Sequence, residues 1–177
     1  MLFVKASVRD SSIEGSGLFL QEFIKASSVV AIYSHGLSII PENEYLRRTF
    51  LEDELVIRTG CRFVSDLFIV RESGVEDEDF VNHSQTPNLL YHCGICFARR
   101  DIYPGEELTL NYQYLLSEDE PGFNDSLTGE YVCGLPSGAA MLQSALELAG
   151  LFKEAVRMER KNRLKRVQAG TSGLFVE

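Results

Sequence analysis

The apolar residues in the first two-thirds of this chain come in short runs, each cut off by a turn signal, and that pattern suits short strands rather than long elements. Gly15-Ser16-Gly17 precedes Leu18-Phe19-Leu20, and Val29-Val30-Ala31-Ile32-Tyr33 is a compact β-branched run. Cys61 to Val70 and Leu89 to Arg99 each read as strand. Pro104-Gly105 sits where a type II turn wants proline followed by glycine. After it Glu107 to Tyr112 alternates, with Leu108, Leu110 and Tyr112 on one face and Glu107, Thr109 and Asn111 on the other. Pro41-Glu42-Asn43-Glu44 resembles the first turn of a helix. From Ser137 the spacing becomes helical, with Leu142, Ala145, Leu146, Ala149, Phe152 and Val156 as its apolar positions. The expected class is mainly β (α+β), a core of short strands plus a C-terminal helix.

At 177 residues the chain has the size of one domain, with 45% apolar and 24% charged residues, so neither disorder nor a fibrous repeat is expected. No apolar run is long enough for a membrane span, and the opening residues do not read as a secretory signal. Four cysteines with no dense spacing suit a reducing, intracellular setting, cytoplasmic or, in a eukaryote, nuclear. The net charge is −9, yet the stretch from Lys153 is net basic, so everything before it is strongly acidic. Such a body repels nucleic-acid backbones and favours Lys/Arg-rich protein partners.

Most familiar chemical signatures are absent or incomplete. Gly15-Ser16-Gly17 lacks the third glycine of a dinucleotide fingerprint, Leu20 standing in its place, and no P-loop lysine follows. Cys93 and Cys96 would fall on opposite faces of a strand, no second such pair exists, and His35, His83 and His92 lack ligand spacing, so no metal site is expected. The acidic Glu76-Asp77-Glu78-Asp79 reads as a solvated loop. One segment is harder to explain. Asn82-His83-Ser84 and Pro87-Asn88 lie between apolar Phe80-Val81 and a strand, which carries polar groups toward the core, where they need partners. A self-capping turn is one explanation and a ligand site is the other.

Three segments, in order, resemble the SET-domain protein lysine methyltransferases: Ile13-Glu14-Gly15-Ser16-Gly17-Leu18-Phe19, then Phe80-Val81-Asn82-His83-Ser84 with Pro87-Asn88, then Gly105-Glu106-Glu107-Leu108-Thr109-Leu110-Asn111-Tyr112. Tyr33, followed by Ser34-His35-Gly36, looks like the family's early channel tyrosine. Two departures stand out. Asp79 lies where an arginine or another non-acidic residue is common, and the cysteine-rich flanks of many members are missing, Cys133 standing alone after Tyr112.

The resemblance implies small, mostly antiparallel sheets with a pseudoknot where the Asn82 and Tyr112 segments cross. It divides the chain into a SET domain over 1–116, a pocket-closing connection over 117–136, with Phe123, Tyr131 and Leu135 as candidate closers, and a helix with a basic tail over 137–177. It also implies S-adenosyl-L-methionine as cofactor, approached by backbone at Gly15, Ser16 and Gly17 and bound by Asn82, His83 and Tyr112. Tyr112 would be the catalytic residue, and Tyr33 and Leu110 would line the substrate channel. Leu110 replaces a Phe or Tyr common in the family, leaving room for more than one methyl group. The implied partner is a protein whose lysine lies in a basic segment. The alternative is a weakly active or inactive protein-interaction module on the same fold.

Overall fold

The computed structural model describes residues 1–33 and 36–171, with side chains as far as 163. Ser34 and His35, which follow the channel tyrosine of the sequence reading, lie outside the described residues, as does the end of the basic tail.

Among the described residues the strands form five small sheets. β1 (Ala6–Asp10) pairs antiparallel with β2 (Ser16–Leu20). β3 (Val29–Ile32) borders a hairpin of β8 (Leu89–His92) and β9 (Ile95–Ala98), and β4 (Leu37–Pro41) borders a hairpin of β5 (Cys61–Val64) and β6 (Leu67–Arg71). β7 (Asn82–His83) pairs with β10 (Thr109–Leu110), and β11 (Phe123–Asn124) with β12 (Tyr131–Val132). The principal core gathers Leu18, Leu20, Leu89, Leu90 and Leu110 from three of these sheets, with Leu108 just before β10. A smaller core holds Val56, Val70 and Tyr45, whose ring stacks on Phe68 at 4.0 Å.

Two stretches read as single strands are hairpins. Leu89 to Arg99 folds back at Cys93 (φ 49°) and Gly94 (φ 76°), the pair of left-handed residues a type I′ turn demands. An apolar-looking cysteine in the first turn position hid the break. Cys93 therefore lies in a turn, not in a strand with Cys96. Cys61 to Val70 breaks at Ser65 (φ 49°), where no glycine marks the turn. The type II turn holds as read, with Gly105 at φ 91° and the Glu106 amide donating to the Tyr103 carbonyl.

α1 (Glu42–Phe50) starts after Pro41, with Glu42 and Glu44 in its first turn and Arg47 and Arg48 in its last, the charge order the helix dipole favours. α2 (Glu54–Thr59) begins where the Asp53 side chain accepts the Val56 amide. α3 (Ser137–Thr171) follows the helical spacing, but its expected apolar stripe faces outward: Leu142 is 62% and Leu146 65% exposed. Small and polar side chains dock it instead. Ala140 and Ser144 are buried, the Ser144 hydroxyl lies 2.9 Å from His92 Nδ1, and the Tyr114 hydroxyl donates to Glu147 at 2.6 Å.

The pseudoknot lies at the one parallel pairing among the described residues. Thr109 is opposite Asn82 and Leu110 opposite His83. Asn88 secures the crossing, its Nδ2 donating to the Glu107 carbonyl at 2.8 Å and its Oδ1 accepting the Thr109 amide at 2.9 Å. That contact buries Thr109, so both faces of β10 are enclosed. The regular strand ends at Leu110, and Tyr112 opens a 3₁₀ turn, Tyr112–Tyr114.

Candidate active site

Three distant pieces of chain meet beside the crossing. The Asn82 side-chain nitrogen donates to the carbonyls of Glu14 and Ser16, each at 3.2 Å, and to Glu107 Oε1 at 2.8 Å. One amide thus joins the glycine turn, the polar segment and the strand that leads to Tyr112. Glu107 also accepts the Ser11 hydroxyl on both oxygens, at 2.8 and 2.9 Å.

The two glycines of the turn have different reasons to be glycine. Gly15 adopts φ 49° with no atom within 4 Å of where a Cβ would sit, so its backbone is left-handed and open to approach. At Gly17 a Cβ would lie 2.1 Å from Glu107 Oε1. The Glu107 carboxylate by itself accounts for the missing side chain there. The alternation places Glu107 opposite Leu108 and Tyr112 but carries no sign of this role.

His83 is 4% exposed, and its Nδ1 accepts the Tyr112 amide at 3.1 Å, which leaves the proton on Nε2. That nitrogen has no hydrogen-bond partner; the nearest carboxylate oxygen, Asp125 Oδ2, is 3.8 Å away. Burial holds His83 below the usual histidine range, and Asp125 opposes the shift. The other oxygen of Asp125 accepts the Leu127 and Thr128 amides and the Thr128 hydroxyl, which fixes the carboxylate in place. Nothing in the sequence marked Asp125. Phe123 packs edge-on against His83, with centroids 5.5 Å apart, and against Tyr112 at 5.9 Å. Tyr131 is 64% exposed, its hydroxyl accepting the Gly122 amide, and Leu135 packs against the core.

The Tyr112 hydroxyl donates to the Val81 carbonyl at 2.7 Å, and burial, with Glu14 nearby, raises its pKa. The Tyr33 hydroxyl donates to the Glu78 carbonyl at 3.0 Å and is raised well above the ordinary phenol value, chiefly by burial. Tyr33, Leu110 and Tyr112 line a single narrow cavity of about 60 Å³, with Val81, Cys61 and Asp79. The cavity has room for roughly two water molecules.

The acidic loop is not solvated throughout. Asp77–Phe80 forms a 3₁₀ turn in which the side chains of Glu78 and Asp79 are 5% and 1% exposed, both paired with Arg71. The counter-charge lies on β6, where the sequence offered no local sign of it.

The SET domain is the family whose description matches this chain, over residues 15–113, more than half of its length. The chain belongs to the SET-domain family. The fold of this SET protein is similar to that of a humanized mutant of the Chaetomium thermophilum Polycomb Repressive Complex 2 bound to the inhibitor GSK126, with a TM-score of 0.51 and 22% identity. The match covers 75% of this chain and 19% of that one, so this SET chain spans about a fifth of the length of its structural neighbour.

Proposed function

We propose that this SET protein transfers a methyl group from S-adenosyl-L-methionine to a lysine side chain of a protein substrate. The observation that carries the reading is that one small cavity is lined by Tyr33, Leu110 and Tyr112 beside the junction of the glycine turn with Asn82 and His83.

The residues present fit the cofactor. His83 leaves a buried nitrogen without a partner, and Gly15 leaves its backbone open. Gly15, Ser16 and Gly17 would hold it by backbone, Asn82 and His83 at the crossing, and Phe123 would cover it from the connection 117–136. When bound, it supplies an electrophilic methyl group on a sulfonium.

The rest is positioning. A lysine amine, with an ordinary pKa of about 10.4, must lose its proton before it attacks, and desolvation in a narrow cavity favours the neutral form. Tyr112 and Tyr33 bound that cavity and fix the direction of the amine, and holding it at near-attack distance lowers the barrier by several kcal/mol. Tyr112 acts through its hydroxyl as an orienting group, since a buried phenol of raised pKa is a poor base.

The proposal includes the division of the chain into a catalytic body over 1–116, a closing connection over 117–136 and a helical appendage. It also includes a basic protein substrate, favoured by the acidic charge balance, and an intracellular setting, favoured by four free thiols. The competing reading, an interaction module without activity, is favoured by the outward apolar stripe of α3. Calorimetric titration with the cofactor followed by a methyl-transfer assay on basic proteins separates the two. Binding with transfer supports the enzyme; binding without transfer across many basic proteins supports the module.

A further inference from the structure

One residue that lines the channel cavity carries a buried side-chain oxygen that the fold does not satisfy. That residue is Asp79, with a side chain 1% exposed. Its Oδ2 accepts Arg71 Nε and the Glu76 amide, whereas Oδ1 is enclosed and accepts no hydrogen bond. An unsatisfied buried carboxylate oxygen is costly, and such groups persist where a ligand completes them. Tyr33, Val81, Leu110, Tyr112, Arg58 and Glu78 are among the other residues that line the cavity, and Glu78 is already paired with Arg71 and the amino terminus, which leaves Oδ1 of Asp79 as the buried carboxylate oxygen without a partner.

We propose that Asp79 is a catalytic residue of the channel, its Oδ1 receiving the ammonium of the substrate lysine and taking up the proton the amine must lose. The Nζ–H bond breaks toward Oδ1, the nitrogen keeps the electron pair for attack on the methyl carbon, and the carboxylic acid later releases its proton to water. This assignment rests on the methyltransferase reading and deepens it.

The surroundings of the carboxylate suit proton exchange. Burial pushes Asp79 above the usual carboxylate range, against the pull of Arg71 and the Glu76 amide and with the push of Glu78. Glu78 is itself paired with Arg71 and with the amino terminus. Cys61, Tyr33 and Tyr112 face the same cavity, and Arg58 borders it with its guanidinium 4.6 Å above the Phe80 ring.

The test uses n-butylammonium as a mimic of the lysine side chain and n-butanol as its neutral counterpart, each titrated into the full chain by NMR. The wild type binds the cation better than the alcohol, and Asp79→Asn loses about tenfold in cation affinity with the alcohol unchanged. Equal cation affinity in a folded Asp79→Asn variant overturns the proposal. Should that variant fail to fold, wild-type cation affinity followed from about pH 7 to about pH 4 decides, because it must fall as Asp79 takes up its proton. A flat profile overturns the proposal. In the transfer assay Asp79→Asn lowers kcat about a hundredfold and loses the acid limb of the pH profile, while Asp79→Glu restores part of both. An unchanged limb with active wild type overturns the proton-acceptor role alone. Absence of transfer by wild type, with cation selectivity intact, overturns the methyltransferase reading and leaves the ammonium site.

Discussion

Asn82 and Glu107 share a hydrogen bond of 2.8 Å, and the same Asn82 nitrogen reaches the carbonyls of Glu14 and Ser16. These contacts place the turn, the crossing and the approach to Tyr112 under one constraint, with Gly17 beneath the Glu107 carboxylate. Gly17→Ala must displace that carboxylate and with it the Asn82 and Ser11 bonds, at a cost of about 2–3 kcal/mol for the set. Gly15→Ala meets no atom and carries only the left-handed backbone penalty of about 1 kcal/mol. Urea denaturation of both variants checks the order. A cheaper Gly17→Ala would remove Glu107 from this account.

Tyr112→Phe deletes a hydroxyl whose one hydrogen bond is to the Val81 carbonyl. Stability should fall by about 1 kcal/mol and cofactor affinity by no more than a few-fold, while turnover falls by about a hundredfold or more. Calorimetry and a transfer assay on the same preparation check both halves. Unchanged turnover contradicts the role given to Tyr112.

Leu110 is 1% exposed and lines a cavity of only about 60 Å³. Leu110→Phe adds volume there at about 1–3 kcal/mol of strain and should reduce the number of methyl groups added to each lysine. Mass spectrometry of the product reads this directly, and an unchanged distribution contradicts the channel assignment.

His83 and His92 are both held below the usual histidine range by burial. Between their folded values and the unfolded value near 6.5 the unfolded chain binds more protons, so stability is full above about pH 6.5 and is lost as pH falls below it. Urea midpoints should therefore drop between about pH 7.5 and about pH 5.5, and by less in His92→Asn. A midpoint that holds or rises at the lower pH contradicts the burial assigned to these rings.

Cys93 sits at φ 49° in a two-residue turn, a conformation that asparagine and glycine tolerate far better. Cys93→Asn should stabilise the protein by about 0.5 kcal/mol, visible as a raised thermal midpoint. A lowered midpoint would show that its sulfur contacts with His92 and Met141 matter more than the turn.

Much of this site is visible in the amino-acid order because its parts are local. A turn glycine, the Asn82-His83 pair and the Pro104-Gly105 turn each announce themselves within a few residues, and three such blocks in order identified the family. What stayed hidden depends on contacts between distant positions. Nothing near Glu78 and Asp79 says that Arg71 will neutralise them, so an acidic loop read as solvated became a buried wall of the cavity. Nothing near Thr109 says that it is buried, because Asn88, which buries it, lies across the crossing. The outward stripe of α3 follows from the same cause: the body offers His92, Arg99 and Tyr114 to the helix, and polar side chains answer them.

The most direct test is label transfer from methyl-tritiated S-adenosyl-L-methionine to a panel of basic proteins, with the label mapped by residue and Tyr112→Phe run alongside. The account predicts label on lysine in the wild type and about a hundredfold less with the variant. Label on no protein of the panel, or equal label from both forms, would contradict it.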